Sequence, residues 1–232
     1  MIEEIMEMYE QKKFSQIRSY LVENNPADIA EVLNDVDKEK LPVLFRLLPK
    51  SIASDVFVEM QSEQQEALIK SFSDAELKFV IDDLYLDDTV DIIEEMPASV
   101  VKRILKNTDT QTRNAINQLL QYPKDSAGSI MTIEYVDLKK HITVEKAFDH
   151  IKKTGVEKET IYTSYVTDSE RHLIGLVTAK DLLLSDRNNI IEDIMETNVI
   201  SVNTLDDKED VAKMFEKYGF LALPVVDKEG RL

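Results

Sequence analysis

Residues 73–84 read SDAELKFVIDDL, and residues 85–96 read YLDDTVDIIEEM. Laid over each other, they set Val80 on Ile92, Ile81 on Ile93 and Leu84 on Met96. Positions i, i+1 and i+4 share one face of a helix, so each twelve-residue unit carries one apolar stripe. The register extends in both directions. One column reads Val32, Leu44, Val56, Leu68, Val80, Ile92, Ile104, Ile116, and its neighbour reads Leu33, Phe45, Phe57, Ile69, Ile81, Ile93, Leu105, Asn117. A third reads Val36, Leu48, Met60, Phe72, Leu84, Met96, Thr108, Leu120.

Twelve residues lie close to a whole number of turns, so one continuous helix is the competing reading. Pro49 and Pro97 count against it, because an interior proline costs about 3 kcal/mol. Capping residues recur between the stripes at Asp37, Ser62, Ser73, Asp87, Ser99 and Asp109. The pattern predicts eight short helices, with a ninth at the N-terminus, wound into a superhelix in which each unit buries its stripe on its neighbours. Such a scaffold offers binding surfaces rather than reaction chemistry. The first 121 residues contain no glycine, which suits helices and disfavours hairpins; all five glycines follow.

The grammar changes near Tyr122-Pro123. Glu134–Leu138 reads as a short strand, Thr143–Lys153 as an amphipathic helix, Ile161–Thr167 and Leu173–Val177 as strands, and Asp181 opens a run of leucines. The order recurs. Ile130-Met131 returns as Ile194-Met195, residues 144–151 return as 207–215, and Val166-Thr167-Asp168 before Leu173 returns as Val226-Asp227 before Leu232. Two copies of a β-α-β-β-α module are expected, the second stopping before its counterpart of Ile174–Thr178.

Charge narrows the partners. The net charge is −17 and the isoelectric point about 4.6, which repels nucleic acid and anionic membranes and favours cations or basic surfaces. With no cysteine, disulfides and thiolate metal sites are excluded; this suits the cytosol. The acidic start MIEEIMEMYE is not a targeting peptide, and no apolar run reaches the ~18 residues of a membrane span. The histidines His141, His150 and His172 show no catalytic spacing, and neither a phosphate-binding loop nor a nucleophile elbow is present. No enzyme activity is expected.

Asp87, Asp91 and Glu95 stand at i, i+4 and i+8, on one helical face flanked by Asp82, Asp83, Asp88 and Glu94. Like charges so spaced repel by tenths of a kcal/mol, a cost that a divalent cation would reverse. A solvated surface, with Asp87 and Asp88 favoured at a helix N-terminus, explains the same residues. The spacing is not that of an EF-hand, since no loop glycine follows.

Gly175-Leu-Val-Thr178-Ala-Lys-Asp181-Leu182 and Leu223-Pro-Val-Val-Asp227 resemble the signatures of cystathionine-β-synthase-type (CBS) domains. The segment Tyr122-Pro-Lys-Asp-Ser-Ala-Gly-Ser-Ile-Met-Thr132, with Glu159-Thr-Ile-Tyr162, resembles the entry into the first CBS module of MgtE-family magnesium transporters. Together with the glycine-free helical repeat, this resemblance covers essentially the whole chain. It implies an α + α/β fold: a right-handed superhelix over 1–121, a first CBS domain over 122–189, and an incomplete second over 190–232. It also implies the Mg²⁺-sensing cytosolic region of a homodimeric bacterial channel-like transporter, on the cytosolic face of the membrane, whose own transmembrane domain lies outside this sequence. Mg²⁺ bound between the helical and CBS domains would favour a compact, closed state.

The family's Mg²⁺ positions match Asp55, Asp87 and Asp91 on the repeat, the Ser129 carbonyl at the CBS entry, and Glu209 and Glu216 in the second module. This chain departs from the family in reading Tyr218-Gly219-Phe220, where an aspartate usually separates the aromatic residues beside Glu216. CBS domains also bind adenine nucleotides such as ATP. The resemblance puts ribose at Asp181, phosphate at Thr178 and adenine against Phe220 and Pro224; Asp181 capping a helix from Leu182 is the structural reading of the same residue. Dimerisation is expected to cover the apolar faces Ala147-Phe148-Ile151 and Leu182-Leu183-Leu184. The alternative function is a soluble adenine-nucleotide-sensing regulator whose helical repeat docks a partner protein.

Overall fold

Each residue of the first apolar column falls in its own helix and is buried. The computed structural model describes residues 2–232, and ten helices occupy the first 119. They are α1 (Ile2–Glu10), α2 (Phe14–Val22), α3 (Pro26–Asn34), α4 (Leu41–Phe45), α5 (Lys50–Val58), α6 (Ser62–Ser71), α7 (Asp74–Asp82), α8 (Leu86–Glu95), α9 (Ala98–Asn107) and α10 (Thr110–Leu119). Helices α3 to α10 are the eight repeats. Two helices precede them where the sequence suggested one, because Lys12, at φ 54°, turns the chain between α1 and α2.

The breaks between helices are chemical. Ser73 caps α7 by accepting from the Glu76 amide, while the Glu76 carboxylate takes the Ser73 amide, a reciprocal capping box. Pro49 and Pro97 stand at the N-caps of α5 and α9, and the Asp109 carboxylate accepts from the amides of Gln111 and Thr112. Four expected caps differ. Lys40, not Asp37, precedes α4; Gln61, not Ser62, precedes α6 and donates its amide to Asn34 Oδ1; and Asp87 and Ser99 lie inside α8 and α9. Successive helices pack two apart: α3 on α5, α5 on α7, α7 on α9 and α4 on α6. Phe45, Phe57 and Phe72 meet in the core with ring centroids 5.5–6.3 Å apart.

The chain divides into two units. One holds the residues up to Leu84 with Asp88–Ile116; the other holds Tyr85–Asp87 with Asn117–Leu232. The second unit contains β1 (Val136–Lys139), α11 (Val144–Thr154), β2 (Thr163–Thr167), β3 (Leu173–Thr178) and α12 (Ala179–Leu184), then α13 (Ile191–Ile194), β4 (Val202–Asn203), α14 (Lys208–Tyr218) and β5 (Val225–Val226). Strand β1 pairs parallel with β2, which pairs antiparallel with β3; β4 pairs parallel with β5. The β-α-β unit is thus built twice, with β4, α14 and β5 repeating β1, α11 and β2.

Several expected boundaries shift for local reasons. Strand β1 starts at Val136 because Glu134 is held in a turn, its amide on Thr132 Oγ1. Strand β2 starts at Thr163 because the Tyr162 amide bonds Thr160 Oγ1. Helix α12 begins at Ala179, not Leu182: Thr178 is the N-cap and Asp181 closes its capping box. The first module's core gathers Val136, Leu138, Val144, Ala147, Val166, Val177, Leu182 and Ile191, with Phe148 and Ile151 against it. The Ala147-Phe148-Ile151 face is therefore already covered, and Arg187 lies 4.1 Å from the Phe148 ring centroid. Leu183 and Leu184 stay 70% and 78% exposed. Among the described residues no helix is long and apolar enough to cross a membrane.

Candidate ligand sites

Each expected Mg²⁺ position has a defined place. In the first unit, Asp55 on α5 and Asp91 on α8 are exposed. In the second, Asp87 is half-buried, Ser129 ends a short 3₁₀ turn, and Glu209 and Glu216 are exposed on α14. Glu209 and Glu216 are seven residues apart, two helical turns, and so lie on one face. Gly219 follows α14 at φ 65°, the left-handed conformation that glycine adopts without steric cost. Tyr218 and Phe220 stack across it with ring centroids 5.2 Å apart.

The second unit adds two carboxylates that the sequence reading did not select. Glu134 Oε2 accepts the Leu86 amide at 2.8 Å, at the first turn of α8, and the Glu134 carbonyl accepts the Glu159 amide at 2.9 Å. Burial raises the Glu134 pKa above the usual carboxylate value, opposed by the Leu86 hydrogen bond and reinforced by Asp87. Burial also raises that of Glu159, with Asp87 and Glu134 adding to it. Asp87, Glu134 and Glu159 all line one cavity of about 520 Å³. The only sequence signal was Glu159 within Glu-Thr-Ile-Tyr; Glu134 looked like a strand residue, and its nearness to Asp87 is non-local.

Among the described residues, no three acidic, histidine or cysteine side chains stand close enough to chelate an ion directly. The donors present suit Mg²⁺, which keeps several waters and takes one or two carboxylates. Residues 1–121 carry 24 acidic against 13 basic side chains, and residues 122–232 carry 21 against 15, so both halves are net negative.

A second cavity of about 490 Å³ is lined by Tyr162, Thr178, Lys180, Phe220 and Pro224 among others. Its size and largely apolar wall suit a flat heterocycle, with Lys180 as the polar handle. Asp181 does not line it. Its carboxylate instead accepts from the Thr178 amide and hydroxyl at 3.0 and 2.6 Å, and Thr178 Oγ1 accepts the Asp181 amide. Thr178 and Asp181 therefore serve each other, and Lys180 is the cation that the sequence reading passed over.

Comparison with known proteins agrees with this organisation. Residues 24–125 match the MgtE intracellular N domain, and residues 127–187 and 191–232 match the CBS domain. The magnesium transporter MgtE of Thermus thermophilus is 32% identical over 93% of this chain and 49% of its own length. That of Bacillus subtilis is 28% identical over 95% of this chain and 49% of its own. The chain thus spans about half the length of these curated relatives. A crystal structure of the cytosolic domain of the Mg²⁺ channel MgtE in complex with ATP superposes with a TM-score of 0.92 at 31% identity, covering 100% of this chain and 95% of that one. This chain belongs to the MgtE family, as a helical N domain followed by CBS domains.

Proposed function

We propose that this chain is the Mg²⁺-sensing cytosolic region of a magnesium transporter, in which the ion drives association of the acidic helical unit with the CBS unit. The observation that supports the reading is the grouping of Glu134 and Glu159 with Asp87 around one cavity, where burial first and the neighbouring carboxylates second raise both glutamate pKa values, in a chain acidic in both halves. Two unit charges 5 Å apart repel by roughly 0.8 kcal/mol in water and about 3 kcal/mol at an effective dielectric of 20. A few such pairs reach the ~5.5 kcal/mol that moves a two-state equilibrium from 1:99 to 99:1. Bound Mg²⁺ removes the repulsion, and in the full-length transporter the compact form is the closed one. Asp55, Asp87, Asp91, Ser129, Glu209 and Glu216 remain the proposed ion set, with Glu134 and Glu159 added.

Small-angle scattering tests this. Millimolar Mg²⁺ should reduce the radius of gyration beyond a monovalent control of equal ionic strength. Identical curves would reject the reading.

A second ligand is supported by the cavity at Tyr162 and Phe220. We propose an adenine nucleotide there, its base between apolar walls and its phosphates toward Lys180; the related solved structure is a complex with ATP. Ribose contact by Asp181 requires its capping box to open. Equilibrium dialysis with ATP, and with Lys180→Ala, checks the assignment. Homodimerisation is proposed through the exposed Leu183 and Leu184, with sedimentation of Leu184→Glu as the test. The nucleotide-sensing regulator with a docked partner has only this cavity in its favour.

A further inference from the structure

The chain that leaves the helical repeat does not run free into the first CBS module. The Tyr122 amide bonds the Leu119 carbonyl at 3.0 Å, which continues the end of α10. From there the segment is fastened to the second module. The Lys208 amide donates to the Asp125 carbonyl at 2.9 Å, the Ala127 amide to Asp206 O at 2.7 Å, and the Gly128 amide to Thr204 O at 2.8 Å. The Lys208 ammonium also reaches the Asp125 carboxylate at 2.5 Å.

Packing follows the same path. Ala127 is 1% exposed and shares a core with Val202 and Val211. The Tyr122 ring lies so close over Gly128 that an added Cβ would stand 2.5 Å from it, and 2.9 Å from the Thr204 carbonyl. Glycine is therefore required there by close approach. Residues 122–129 bond to α10 at one end and to the β4–α14 segment at the other.

We infer that Tyr122–Ser129 is a strap joining the last turn of α10 to the start of α14, so that a displacement of α14 is relayed into α10 without passing through the β1–β2–β3 sheet of the first module. This goes beyond the ion reading, and its test uses no ligand. Lys208 is the first residue of α14, where proline is tolerated, and Asp207 has the extended backbone (φ −67°, ψ 132°) that precedes proline well. Lys208→Pro thus removes both the amide and the ammonium bond to Asp125 while sparing the helix.

Hydrogen exchange of the 232-residue chain is then compared with Lys208→Pro and Gly128→Ala. The amides of Ala127 and Gly128 and those of residues 117–119 should exchange faster together, by about tenfold, with β1 and β2 unchanged. If the strap amides speed up while α10 does not, or if β1 and β2 speed up equally, the relay is overturned. An unchanged strap in Lys208→Pro overturns it as well. Should Gly128→Ala fail to fold, Lys208→Pro alone decides.

Discussion

Arg171 and Gly230 hold the same left-handed position, φ 71° and 80°, in two turns that pair with each other. The Leu173 amide donates to the Gly230 carbonyl at 3.0 Å, and the Leu232 amide to the Arg171 carbonyl at 3.1 Å. In each turn an aspartate organises the backbone: Asp168 Oδ1 accepts from Glu170 and His172, and Asp227 Oδ1 from Glu229 and Arg231. The duplication of the CBS module is thus preserved down to single hydrogen bonds. One copy keeps an arginine where the other has glycine, and that arginine earns its strain: its guanidinium donates to Tyr135 Oη and the Leu232 carbonyl.

The pair makes unequal predictions. Gly230→Ala places a Cβ in the left-handed region and should lower stability by about 1 kcal/mol. Arg171→Gly relieves the same strain but loses two hydrogen bonds, and should change stability by less than about 0.5 kcal/mol. Urea denaturation of both variants checks this, and a stabilised Gly230→Ala would contradict it.

Glu76 contributes to the acid sensitivity of the helical repeat. Arg46 at 2.7 Å and the Ser73 amide hold its pKa down to about 2, against 4.5 for the free side chain. A depressed carboxylate pKa contributes stability above the unfolded value and loses it as pH falls through the folded one, here from 4.5 towards 2. The Glu76 side chain is 38% exposed, so solvent screening limits the contribution to about 1 kcal/mol. Glu76→Gln should therefore unfold earlier in urea at pH 7 and approach the parent near pH 2. A difference constant over that range would exclude the ion pair as its cause.

Glu159 works in the opposite direction. Its pKa is raised by burial, Asp87 and Glu134, so its favourable contribution is fully present below the unfolded pKa and lost as pH rises through the folded one. At neutral pH the carboxylate is charged and repelled. Glu159→Gln should then raise stability at pH 7 by about 0.3 kcal/mol, the size of a like-charge term screened by the solvent that still reaches this partly desolvated side chain, and have no effect near pH 4. Thermal melts at the two pH values test the sign.

The helical repeat was legible because its signal is local and periodic: all eight residues of the first column, from Val32 to Ile116, are buried. The columns fail where the repeat ends. Asn117 is exposed, and α1 and α2 lie before the first column. Ligand chemistry was less legible. The Thr178-x-x-Asp181 spacing is a capping box in the structure, and the same residue types drew attention as nucleotide contacts. Glu134 and Glu159 escaped notice because what distinguishes them, proximity to Asp87, is made by the fold and not by spacing. The sequence marks Tyr122-Pro123 only as the point where the grammar changes, and nothing local in it shows what the segment touches. The segment's hydrogen bonds run to Thr204, Asp206 and Lys208.

That fastening changes how Mg²⁺ should act on proteolysis. Ser126, Ala127 and Gly128 are buried, so protease resistance in this stretch does not by itself report the ion. The informative comparison is Asp87→Ala with Asp91→Ala against the parent, each with Mg²⁺ or with monovalent salt of equal ionic strength. Screening acts on every exposed charge within a Debye length of about 10 Å at 0.1 M. A specific site adds stability by mass action once Mg²⁺ exceeds its dissociation constant, about 2.7 kcal/mol at a hundredfold excess. The parent should therefore gain melting temperature and compactness with Mg²⁺ beyond the salt control, and the double variant should retain only the salt effect. The variant should also be more compact than the parent without Mg²⁺, because two of the repelling carboxylates are gone. An undiminished Mg²⁺ response in the variant would remove Asp87 and Asp91 from the ion set and leave the Glu134–Glu159 pair as the acidic group to test next.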